Sequence, residues 1–113
     1  LNLRKLLEIR ANVARMRDEY SRAAERARET ADEVARLVGD AVHDGDAVPL
    51  AELAAMSHTE LAERGCDART VQRASIIAER LTEQRAAAAH LAERLRDARQ
   101  LLDRIEAYAG ADS

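Results

Sequence analysis

The chain has 113 residues, 47% hydrophobic and 35% charged, with two Tyr, no Phe and no Trp. So little aromatic volume, beside abundant Ala, Leu, Glu and Arg, excludes a thick globular core and points to long helices in a single domain. A formal net charge of −3 stands against nucleic acid as the main partner, a lone Cys66 leaves no intramolecular disulfide, and no apolar run approaches the roughly 18 residues a membrane span requires.

The first element is a long helix over 3–41. Counting from Leu6, apolar positions fall at Leu6, Ile9, Val13, Met16, Tyr20, Ala23, Ala27, Thr30, Val34, Leu37 and Ala41. The steps alternate three and four without a slip, which is the a/d seam of a coiled coil. Thr30 is its weak member. Asp18 before Arg22 and Asp32 before Arg36 stand at the i,i+4 spacing that supports a helix from its outer face.

Residues 42–66 form the connector. VHDGDAVP reads as a loop punctuated by Gly45 and Pro49, and Pro49 suits the first turn of a short helix, PLAELAAM. Ser57-His-Thr-Glu60 then spells a capping box for a second short helix from His58 to Arg64, which Gly65 ends. Leu50, Leu53, Met56, Leu61 and Val71 are expected to form a satellite core that covers Ile76.

Asp67 is a natural N-cap for the last long helix, 67–109. Its seam runs through Ala74, Ile77, Leu81, Gln84, Ala88, Leu91, Leu95, Ala98, Leu102, Ile105 and Ala109. Gln84 is the polar exception, and a buried polar residue in such a seam sets register or partner number. Each long helix has about 40 residues, roughly 60 Å at 1.5 Å per residue. Two seams of equal length on one chain predict an all-α fold: an antiparallel coiled-coil hairpin with a small two-helix cap, able to dimerise into a helical bundle. Two registers keep a opposite d. One sets Leu6 against Ile105 and Ala27 against Gln84. The other sets Tyr20 against Ala98, Ala23 against Leu95 and Ala41 against Ile77. The second pairs large with small residues and is preferred.

At the end carrying the termini, Leu3, Leu7, Leu101 and Tyr108 lie beside the seams. They either seal that end or form a docking surface for a second copy or a protein partner.

Thr59–Ala74, TELAERGCDARTVQRA, resembles the helix-turn-helix of many bacterial transcription regulators. In that family a small residue stands four positions before a turn glycine, and a branched apolar residue six after it. Val71 sits six after Gly65 and fits. Leu61, a large residue, occupies the place of the small one, and Ala62 is one position late. The resemblance implies that Arg69, Gln72 and Arg73 would contact DNA from the major groove. Over 49–81, Glu52, Glu60, Glu63, Asp67 and Glu79 outnumber Arg64, Arg69, Arg73 and Arg80. A capped corner between helices is therefore preferred to a DNA reader.

Nothing in the sequence spells catalysis, so no enzyme, no catalytic residue, no metal and no cofactor is expected. His43, His58 and His90 are far apart, and no Glu-x-x-His pair occurs. Asp40 and His43 share a helical face without a second such pair, and Cys66 has no adjacent base to activate it. Asp40, Asp44 and Asp46 are similar in placement to the tip acids of bacterial transcript-cleavage factors, which complete a polymerase metal site. The sequence in hand has no counterpart of that family's second domain. The expectation is a non-enzymatic, cytoplasmic interaction or assembly module, homo-oligomeric or bound to a protein partner, with no small-molecule substrate. A DNA-binding regulator is the alternative.

Overall fold

In the computed structural model, residues 2–41 and 48–111 are described. They form four helices and no strand: α1 Leu3–Ala41, α2 Leu50–Ala55, α3 His58–Glu63 and α4 Ala68–Ala111. The long helices α1 and α4 pack against each other and the short ones join them in chain order, so the fold is the expected helical hairpin.

Local chemistry explains where each helix starts and stops. The Asn2 side chain accepts a bond from the Lys5 amide at 2.8 Å and opens α1. Pro49 stands at the N-cap of α2 rather than inside its first turn, its carbonyl accepting from Leu53 at 3.2 Å. Ser57 caps α3 by accepting from the Glu60 amide at 3.2 Å, and the reciprocal bond, in which the Glu60 carboxylate would accept from the Ser57 amide, is not formed. Helix α3 ends in a Schellman turn. Gly65 takes φ 73°, its amide reaches Ala62 at 3.0 Å, and the Cys66 amide reaches Leu61 at 2.8 Å. Asp67 opens α4. Its carboxylate accepts from the Arg69 amide at 3.1 Å and from the Thr70 hydroxyl at 2.9 Å.

The chain divides into two compact units. The terminal unit comprises Leu1–Glu25 and Arg85–Ser113; the connector unit is Arg26–Gln84. In the terminal unit the predicted seam is the packed face of both helices. Ala23, Ala88 and Leu95 are buried, while Leu6, Ile9, Val13, Met16, Tyr20, Leu91, Leu102 and Ile105 are half-buried. Two helices cover a seam residue from one side only, so its flank stays wet. An ion pair between Arg10 and Glu106, 2.8 Å apart, bridges the helices beside this seam. It agrees with the preferred register. There Glu106 lies two residues from the position level with Arg10; in the other it lies five away, about 7.5 Å along the axis.

In the connector unit α2 and α3 add a second layer. Leu53, Leu61 and Val71 are buried together, with Val48, Leu50, Met56, Cys66 and Ala68 packed around them. All five expected members of the satellite core are present. Ile76 is not covered, however: it is 57% exposed. Val71 already fills the contact with α2 and α3, and Ile76, five residues on, projects about 140° away from it around α4.

Two polar residues stand in the seams. Thr30 is buried, and its hydroxyl donates to the Arg26 carbonyl at 3.0 Å. The Oε1 of Gln84 is buried with no hydrogen-bond partner among the described residues. The expected Asp18–Arg22 and Asp32–Arg36 pairs are not closed, since exposed pairs gain little over hydration. A looser pair at the same spacing, Arg4–Glu8, measures 4.0 Å.

Candidate functional site

Leu3, Leu7, Leu101 and Tyr108 are all exposed, between 50% and 70%. Apart from Ile76 they are the large hydrophobic residues most open to solvent among those described. The Arg10–Glu106 bond shows how they are arranged. Leu3 and Leu7 precede Arg10 by seven and three residues, so they continue its stripe along one edge of the helix pair. Tyr108 follows Glu106 by two residues, about 200° around α4, and Leu101 lies one heptad before Tyr108. These two therefore lie on the other edge. The four residues grouped as one candidate surface make two.

On the Arg10–Glu106 edge, a shallow groove is lined by Tyr20, Ala92, Leu95, Arg96, Arg99, Gln100 and Asp103. Its floor is apolar: Leu95 is buried, Tyr20 and Ala92 half-buried. Its rim is polar, with exposed Arg96, Arg99, Gln100 and Asp103. The sequence pattern located Tyr20 and Leu95 in the seam but gave no reason to expect a groove. The missed signal was the character of the flanking heptad positions, where Ala92 replaces a long side chain.

In the connector unit, the segment that resembles a helix-turn-helix is built as α3, a left-handed turn at Gly65, and the start of α4. Val71 is buried beneath it, and Arg69, Gln72 and Arg73 are exposed. Leu61, at the place of the family's small residue, is buried in the same core. Ala62 is exposed. A recess beside this segment is lined by Leu53, Met56, His58, Leu61, Val71, Gln72 and Ser75, among others. Asp67 lies close by with its carboxyl held below the usual aspartate range. The Thr70 hydroxyl is the main cause, followed by the Arg69 amide; both bond to the ionised form.

Cys66 is half-buried against the satellite core, its Sγ 4.0 Å from the Arg64 carbonyl oxygen. It serves there as a small apolar residue. His58 and His90 are exposed. His43, Asp44, Asp46 and the side chain of Asp40 lie outside the described residues, and so do the Asp40–His43 pairing and the group of tip acids. Among the described residues, no three of His, Cys, Asp and Glu gather as a metal site, and no helix is long and apolar enough to cross a membrane.

No family model, curated protein or solved structure matches the chain.

Proposed function

We propose that this chain is a non-enzymatic interaction module, which uses the flanks of its helical hairpin to bind a second copy of itself or a protein partner. The observation that carries the reading is the exposure of Leu3, Leu7, Leu101 and Tyr108 next to a seam whose large residues are only half-buried. Removing an apolar side chain from water stabilises association by about 25 cal/mol per Å². Residues so open in the free chain retain most of that gain for a contact. A reducing, cytoplasmic setting fits the unpaired Cys66.

Sedimentation of wild type and of the Leu7→Asp/Leu101→Asp variant tests the reading. Self-association is expected in the first and its loss in the second, with helix content by circular dichroism unchanged because both residues flank the seam. Leu3→Asp/Leu7→Asp and Leu101→Asp/Tyr108→Asp then separate the two edges. A wild type that is monomeric at all concentrations removes the second copy and leaves the protein partner.

A second reading, a DNA-binding regulator, draws support from exposed Arg69, Gln72 and Arg73 on the opening turns of α4. Charge opposes it. Residues 26–84 hold 7 basic and 12 acidic side chains, whereas phosphate neutralisation supplies most non-specific affinity. A titration against a random duplex pool at about 150 mM salt is expected to enrich no sequence. Recovery of a palindromic site, lost in Arg69→Ala/Arg73→Ala, would replace the interaction reading with this one.

A further inference from the structure

We propose that the Tyr20 groove of the terminal unit is a docking site for an acidic amphipathic helix supplied by a protein partner. The proposal rests on the interaction reading above and names the chemistry of the partner.

Arg10 on α1 and Glu106 on α4 meet at 2.8 Å across the edge of the helix pair. One heptad further along α1 stands Arg17, and one heptad back along α4 stands Arg99. In an antiparallel pair of helices these positions repeat the same relation, so the place of an Arg–Glu pair is taken by two arginines. Like charges there repel. Arg96 lies three residues before Arg99 on the same face of α4 and on the rim of the same groove. Arg17, Arg96 and Arg99 are all exposed, and none has an ion pair or a side-chain hydrogen bond among the described residues. Asp103 is the acid that lines the groove. The local excess belongs to the whole unit: residues 1–25 and 85–113 carry 11 basic and 9 acidic side chains, in a chain whose net charge is −3.

Beneath these cations lies an apolar floor of Tyr20, Ala92 and Leu95. Ala92 takes up little room on α4, so a third helix can approach the pair there. An occupant that matches both features has apolar side chains on one face and carboxylates beside them. The carboxylates would enter the space between Arg17 and Arg99 and accept hydrogen bonds from guanidinium groups that water now solvates. Recognition of this kind is the helix-in-groove mode, with charge setting the choice of partner.

The test uses the full chain and a fluorescein-labelled helical peptide of Leu, Ala and Glu, with leucine confined to one face. Its control is the same peptide with Lys for each Glu. Fluorescence anisotropy is expected to detect the acidic peptide and not the basic one, with affinity falling as salt rises. Arg96→Glu/Arg99→Glu, both at exposed positions, is expected to weaken the acidic peptide at least about tenfold and to admit the basic one. The same variant should sediment as wild type does, while Leu7→Asp/Leu101→Asp should keep the peptide. A loss of self-association in the arginine variant would assign the groove to a second copy and overturn the proposal. Equal binding of both peptides, or of neither, would also overturn it. So would binding only to vesicles of phosphatidylcholine and phosphatidylglycerol, which would give the groove to lipid. Because self-association and peptide capture are read separately, either reading can fail without the other.

Discussion

Leu53 in the connector unit and Leu102 in the terminal unit both face inward from a helix, yet Leu53 is 1% exposed and Leu102 only half-buried. The difference is the number of layers. Around Leu53, two short helices close over the start of α4 and give Leu61 and Val71 a common core. Around Leu102 there are two helices alone, and a residue between two cylinders keeps one flank in water. The units differ in charge in the same sense. The connector unit holds the closed core and is acidic; the terminal unit, with two helices alone, has a small basic excess. Interaction is thus expected of the unit whose own packing is less complete.

The largest effect should come from breaking the closed core. Leu53→Ala is expected to destabilise by about 2–5 kcal/mol, as truncations in a sealed core do. Leu102→Ala should cost roughly half as much in the isolated chain, since a half-buried side chain gains about half the transfer energy. Urea denaturation of the two variants compares them directly. Equal losses would mean that Leu102 is covered in solution, as it would be in an oligomer.

Gln84→Leu tests a flaw in the seam itself. Its buried Oε1 has no partner among the described residues, and an unsatisfied buried acceptor costs about 1–3 kcal/mol. The leucine variant is expected to be more stable by about 1 kcal/mol, with the midpoint of urea denaturation moved upward. A lower midpoint would show that Gln84 finds a partner, as an assembly in which copies pair their glutamines would provide.

Gly65→Ala addresses the turn that lets the connector unit close. A Cβ would meet nothing within 4 Å, but φ of 73° is strained for alanine. A loss of about 1 kcal/mol is expected from the backbone alone, read as a lower midpoint of urea denaturation.

The smallest effect is pH-linked. The folded carboxyl of Asp67 titrates below its ordinary value of 3.8 because Thr70 and the Arg69 amide bond to its charged form. Its contribution is therefore complete above the unfolded value and is lost as pH falls from there through the lowered folded value. Thr70→Val should reduce the stability difference between neutral and acid pH; a difference left unchanged would assign the effect to the Arg69 amide.

Much of this architecture was legible because it depends on neighbours in sequence. A three-and-four alternation makes a stripe on any α-helix, so the seams from Leu6 to Leu37 and from Ala74 to Ala109 followed from spacing alone. The caps at Ser57 and Asp67 and the left-handed glycine at Gly65 join residues two to five apart, and the chain dictates them before any tertiary contact forms. What only the folded chain decided depends on residues far apart in sequence. The register rests on Arg10 meeting Glu106. The exposure of Ile76 follows from which side of α4 the short helices cover, the side of Val71 and not its own, and the stripe on α4 does not say where α2 and α3 dock. Leu3 and Leu7 part from Leu101 and Tyr108 because two helices lying side by side have two edges, and a single sequence stripe does not say which edge it meets. The proposed role of Arg17 and Arg99 has the same origin: each is an ordinary exposed arginine on its own helix, and only the antiparallel register read from Arg10 and Glu106 relates one to the other.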